Sequence, residues 1–153
     1  MPDFEIDNSD LSKLATDLGS VPAQSGKNLA QAFHVTSRNI RDAWREKATG
    51  LEHAPAFPWS ITYDMGAEGR QTFAQAVSSV NAGGISDAMD TVLRSEIGPD
   101  KVRRQGALGN LIEYGSVNNP PMGFGHAALQ ENEDDFERGI DRAVDDALRK
   151  AGF

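Results

Sequence analysis

The chain has no cysteine. Disulfides, thiolate zinc sites and thiol nucleophiles are therefore excluded, and the redox compartment stays open. It also has no apolar run near the ~18 residues of a membrane span, and its mean hydropathy is −0.48. Aromatic residues are 7% and hydrophobic residues 39% of 153 positions. That is a modest core for one domain, with much surface left to water or partners. A basic surplus is missing too, since the net charge is −8. Gripping phosphates takes a cationic excess, so nucleic acid is not expected as a tightly held ligand. A surface of this sign repels DNA and suits a passage through which DNA slides. The opening MPDFEIDNSD is acidic and lacks a basic-then-apolar leader pattern, so a product made in the cytoplasm, without a membrane partner, is expected.

The sequence holds no internal repeat and no low-complexity tract. Its hydrophobic spacing predicts helices at both ends and strands between. A short helix is expected over Asp10–Leu18, with Asp10 as cap and Gly19 as stop. Pro22, Ser25 and Gly26 break the pattern, and residues 1–26 read as an N-terminal arm or short helix. A second helix runs over Lys27–Thr49, with Leu29, Phe33, Ile40, Ala43, Trp44 and Ala48 on one stripe. Leu51 continues that row, and Arg38, Arg41 and Arg45 make a basic stripe beside it. His53–Pro58 reads as an extended connector.

Trp59, Ile61 and Tyr63 alternate with polar residues, as in a half-buried strand. Residues 67–84 read as an insertion or variable loop, with Thr72–Val80 short helix or strand and Asn81–Gly84 loop. A strand is expected over Ala88–Gly98, a further short strand at Val102, and a short apolar helix over Ala107–Tyr114. Ala127–Lys150 reads as an amphipathic helix with Leu129, Phe136, Ile140, Ala143, Val144, Ala147 and Leu148 on one face. Acids fill the other face, and Arg149 and Lys150 sit where the helix dipole favours cations. The fold class is α+β: N-terminal helices and a C-terminal amphipathic helix packed on a small, mostly antiparallel sheet, in one domain over 1–153.

Catalytic patterns are few. His34, His53 and His126 stand far apart, and none has a second ligand at metal spacing. The acids Glu133, Asp134, Asp135 and Glu137 offer a divalent-cation patch or, more simply, a solvated, dipole-compatible face. Asp64–Gly69 lacks the ligand spacing of a calcium loop. Phosphate loops, dinucleotide fingerprints and nucleophile elbows are absent from the sequence. No catalytic, cofactor-binding or metal residue is assigned, and an enzyme is not expected. For the arginine stripe, pairing with acids of its own helix or of a neighbour is favoured over phosphate.

One segment stands apart. In Leu111–Ser116, Glu113 lies between Ile112 and Tyr114, and Gly115 allows the chain to turn with positive φ. Asn118–Pro121 then predicts an extended path with few backbone hydrogen bonds. Phe124 is the large apolar anchor before the last helix. Such a segment must pack on its own domain or on another chain to be ordered.

At these residues the chain resembles the head–tail joining proteins of long-tailed double-stranded DNA phages. This is the small neck or tail-completion family, also described as minor tail or connector components. Its pattern is a short apolar helix ending in Glu-aromatic-Gly-Thr/Ser, a proline loop, an aromatic, an Ala-Leu step and a C-terminal amphipathic helix. Here these are Leu111–Ser116, Pro120–Pro121, Phe124, Ala128–Leu129 and the helix to Lys150. Ser95–Pro99 followed by Gln105–Asn110 looks like the version in phages of actinobacteria. The likeness covers residues 28–150 and is strongest over 96–129. Where the family often carries Arg-Pro-Phe-Leu, this chain has Met122–Gly125.

The resemblance implies a structural protein of the virion neck. It would form a homo-oligomeric ring, six- or twelve-fold, that meets the head-connector and tail proteins while DNA passes through without tight binding. The expected contact residues are Arg38, Arg41, Arg45, Glu113, Tyr114, Pro120, Pro121 and Phe124. The rivals are a tail terminator capping the tail tube and a small metal-binding or hydrolytic protein using the acidic patch at Glu133–Glu137.

Overall fold

The structure is a computed structural model and describes residues 9–67, 93–150 and 152. Its architecture is α+β. Helix α1 spans Ser9–Lys47, and strand β1 (Ile61–Ala67) pairs with strand β2 (Leu93–Pro99). A short helix α2 (Gly109–Tyr114) leads to the long helix α3 (Phe124–Lys150). The strands are antiparallel, in a register that sets Tyr63 opposite Ile97 and Ile61 opposite Pro99. Expectations on Thr72–Val80, on Asn81–Gly84 and on the start of the strand at residues 88–92 lie outside the described residues.

Two helices were expected before residue 50, and one is found. Helix α1 runs unbroken through Gly19, Pro22 and Gly26, and Asp10 lies inside it rather than capping it. A proline and two glycines disfavour an isolated helix by about 5 kcal/mol together, so tertiary support must hold it. Helix α3 lies antiparallel along α1 over the residues from Asn28 to Lys47. Lys47 pairs with Glu131 at 2.5 Å, Phe33 meets Phe136 edge to face at 5.2 Å, and the Asn28 amide reaches the Ala143 carbonyl at 3.5 Å.

The core is small and lies where α1, the hairpin and the start of α3 converge. Ile40, Trp44, Ala48, Ala54, Phe57, Ile61 and Ala128 are buried there, with Leu108, Ile112 and Phe124 packed at its edge. Full burial of Phe57 and Ile61 contributes roughly 1.5–3 kcal/mol each. Helix α3 begins three residues before the expected Ala127, so Phe124 forms its first turn. Gly125 is buried so close to the Trp44 ring that a Cβ there would stand 2.6 Å from it.

Other local expectations change for identifiable reasons. Residues 57–60 form a 3₁₀ turn with Pro58 in its first turn, so the strand starts at Ile61 and Trp59 is 65% exposed. The turn is locked by Ser60, whose hydroxyl donates to the Phe57 carbonyl at 2.7 Å while its own carbonyl accepts from the Asp100 amide at 2.8 Å. Val102 opens no strand. Its amide donates to the Asp100 carboxylate at 2.9 Å in a turn that runs into a 3₁₀ segment over Arg104–Leu108.

Candidate subunit interface

The segment between α2 and α3 is a braced arm. Gly115 has φ 76°, the positive value expected of it, and a Cβ there would also stand 2.7 Å from the Asn119 carbonyl oxygen. Beyond it the chain folds back on itself, which corrects the extended path expected for Asn118–Pro121. Ser116 and Asn119 exchange backbone hydrogen bonds of 2.8 and 3.2 Å around a tight turn. The Met122 amide then donates to the Ile112 carbonyl at 2.9 Å, and the Gly123 amide to that of Glu113 at 3.2 Å. The arm is thus clipped to α2 at its base, while its tip stands clear. Val117 is fully exposed and Tyr114 is 77% exposed. Pro120 and Pro121 are exposed as well.

Glu113 is a brace. Its carboxylate accepts from the Gly125 amide (2.9 and 3.1 Å) and the His126 amide (3.1 Å), two of the unpaired donors at the start of α3. A negative charge there also meets the positive end of the helix dipole. Phe124 is half-buried against its own core. Both residues were read as contact candidates, and both have roles inside the chain.

The arginine stripe lies on another face, over β1. Arg45 sends two N–H groups to the buried Ile61 carbonyl, at 2.7 and 3.1 Å, and its guanidinium lies 6.0 Å from the Trp59 ring. Desolvation by burial, then the like charge of Arg41, pulls its pKa below the usual arginine value, with Asp42 opposing. Arg41 pairs with Asp42 at 2.7 Å and stacks 5.4 Å over Tyr63, so the pairing within its own helix is realised. Arg38 is exposed.

A groove of about 460 Å³ opens between α1, β2 and α3. Phe33, Ile40, Ile97, Leu129 and Phe136 supply its apolar lining. Beside them lie Ser37 and Ser95, whose hydroxyls are hydrogen-bonded at 2.6 Å. Leu129 and Phe136 were placed on the apolar face of the last helix, together with Ala143 and Ala147. Leu129 is instead 53% exposed, and the buried positions of α3 are Gly125, Ala128, Ala143 and Ala147. Small residues let the helices approach closely, and the larger side chains are displaced to the groove. Sequence periodicity marks both kinds of position alike, so it did not single this groove out.

The acidic patch is exposed on α3, with Glu133 at the edge of the groove. Glu133, Asp134, Asp135 and Glu137 are exposed, and Asp135 pairs with Arg138 at 2.6 Å. Among the described residues no group of three or more His, Asp or Glu converges as a cation site, and no helix is long and apolar enough to cross a membrane. Comparison of the chain with protein-family models, with curated proteins and with solved structures returns no match.

Proposed function

We propose that this chain is a structural subunit of the neck of a long-tailed double-stranded DNA phage, where copies of it form a ring between the head connector and the tail. The observation that carries the reading is the braced arm. A glycine with positive φ, a helix cap reaching across from α2 and two backbone clips hold it in place. Its outermost side chains, Tyr114, Val117 and Pro120, are nonetheless exposed, and apolar groups held out in water on a clipped arm fit a docking element. The arm falls within residues 96–129, where the likeness to the phage family is strongest.

Three further features support the same reading. Arm and arginine stripe occupy different faces, as a head-to-tail contact requires, and head-to-tail contacts close into rings. Arg38, exposed on α1, offers a cation to an acidic neighbour, and exposed acids line α3 of every copy. A net charge of −8 keeps DNA from adhering to a channel wall. Tyr114, Pro120 and the arm tip carry the contact, while Glu113, Arg45 and Phe124 hold the parts in place.

The test is complementation of a phage lacking its own copy of the gene. Val117→Asp combined with Pro120→Ala alters only exposed positions, so folding is preserved. The expected result is heads and tails that fail to join. Infectious particles at normal yield would show that the arm is no joint.

A further inference from the structure

We infer that the face formed by the turn at residues 57–60 and the loop at residues 101–104 docks a short acidic segment of a different protein, one that sets carboxylates beside an apolar side chain. This face shares no residue with the arm, and the inference goes beyond the neck reading without resting on it.

Charge is the first argument. Residues 53–63 and 101–112 contain no Asp or Glu, in a chain that carries 23 acids. The fold ties these two acid-free segments together. The Asp100 amide donates to the Ser60 carbonyl at 2.8 Å, and the Ala56 amide to the side-chain carbonyl of Gln105 at 2.8 Å. Lys101, Arg103 and Arg104 are all exposed on the second segment. Asp100 answers Arg103 in an ion pair of 3.2 Å, whereas Lys101 and Arg104 form no ion pair among the described residues. An acidic protein thus presents a local cationic face, and its complement is a carboxylate.

The second argument is what stands beside those cations. Trp59 and Val102, each expected in a strand, are 65% and 93% exposed. Trp59 is held by Arg45, whose guanidinium lies 6.0 Å from the ring and is itself fixed by two bonds to the Ile61 carbonyl. The loop is equally well built. The Arg103 amide donates to the Asp100 carbonyl at 3.0 Å, and the Gly106 amide to the Arg103 carbonyl at 2.8 Å. Between them Arg104 has φ 36°, in the left-handed region that few residues other than Gly, Asn and Asp enter readily. Strain of this kind persists where surrounding structure imposes it, and it clusters at binding sites. Tryptophan and arginine are the side chains that anchor protein contacts most often, and ordering them beforehand leaves less freedom to lose on docking.

Size favours a short acidic segment over nucleic acid. Duplex DNA carries a charge about every 1.7 Å of its axis. Any length of it beyond this face would run along a chain of net charge −8. A peptide with a few carboxylates ends where the cations end, and its apolar side chain meets Trp59 and Val102.

The test uses the full chain and a fluorescent synthetic peptide in which glutamate alternates with leucine, followed by anisotropy. Saturable binding that weakens with added salt is expected. Lys101→Ala combined with Arg104→Asn removes two exposed cations, and asparagine accepts the positive φ, so the melting curve should hold while the dissociation constant rises about tenfold. Trp59→Ala is expected to raise it at least about tenfold as well.

Absence of saturable binding overturns the inference, and so does binding that the double variant leaves unchanged. Equal affinity for a peptide with lysine in place of glutamate would show an apolar contact without charge recognition. Tighter binding of a duplex oligonucleotide of the same charge would give the face to nucleic acid. Self-association of the native chain that the double variant abolishes would give it to the acids of a second copy. Each of these overturns the acidic partner, and none bears on whether the arm joins heads to tails.

Discussion

Removing the carboxylate of Glu113 tests how α2 and α3 are joined. In the native chain Oε1 accepts from the Gly125 and His126 amides and Oε2 from the Gly125 amide, all within 2.9–3.1 Å. Loss of a capping side chain typically costs about 1 kcal/mol, within a range of roughly 0.5–2. Loss of a negative charge at a helix N-terminus adds about 0.3–1 kcal/mol. Glu113→Ala is therefore expected to cost about 1–2 kcal/mol. For a chain of this length that lowers Tm by roughly 2–4 °C per kcal/mol, or about 5 °C in all. Glu113→Gln keeps an acceptor and loses the charge, so it should fall about midway. Circular dichroism at 222 nm gives the melting curve. Hydrogen exchange at the Gly125 and His126 amides reads the cap itself, and both should exchange faster in the alanine variant. An unchanged Tm together with unchanged exchange would refute the brace.

Three further outcomes follow from the packing. Gly125→Ala places a methyl group against the Trp44 ring, at an overpacking cost of about 1–3 kcal/mol. The gain in helix propensity of roughly 1 kcal/mol offsets only part of this, so denaturant unfolding should show a net loss of about 1–2 kcal/mol; a stabilised variant would contradict the close approach. Arg45→Met leaves the buried Ile61 carbonyl without its two donors and should cost about 1–3 kcal/mol, partly restored in Arg45→Lys; equal stability of all three forms would speak against the bond. Trp44 buries an indole N–H that has no hydrogen-bond partner among the described residues. Trp44→Phe removes that unpaired donor, worth about 1–3 kcal/mol, against a smaller ring, and should destabilise by less than about 2 kcal/mol; a loss as large as a truncation to alanine, about 3–5 kcal/mol, would contradict it.

What the sequence disclosed follows the range of its signals. The strand at Ile61 and Tyr63, the last helix and the positive φ of Gly115 all depend on neighbouring residues, and those readings match the structure. The unbroken α1 does not depend on neighbours. Pro22 and two glycines argue locally for a stop, yet α1 runs through them and, from Asn28 on, packs along a helix whose Ala143 is 115 residues further down the chain. Trp59 shows the limit of alternation, because Pro58 sets a 3₁₀ turn just where the period-two pattern begins. Glu113 was marked as unusual for its place between two apolar residues, but its service as a cap depends on the arm returning to within 3 Å of it. The groove was illegible for the same reason. Phe33, Ile97 and Phe136 come from three elements, and each carries an apolar signal that reads equally well as core.

The central claim is that the chain works as a ring in the neck of a virion. Electron cryomicroscopy of intact particles from the phage that encodes it tests this most directly. The account predicts a closed ring of this chain between head connector and tail, with each arm seated on the adjoining subunit. A ring of this chain seated instead on the topmost layer of the tail tube, or particles that contain none of it, would contradict the account.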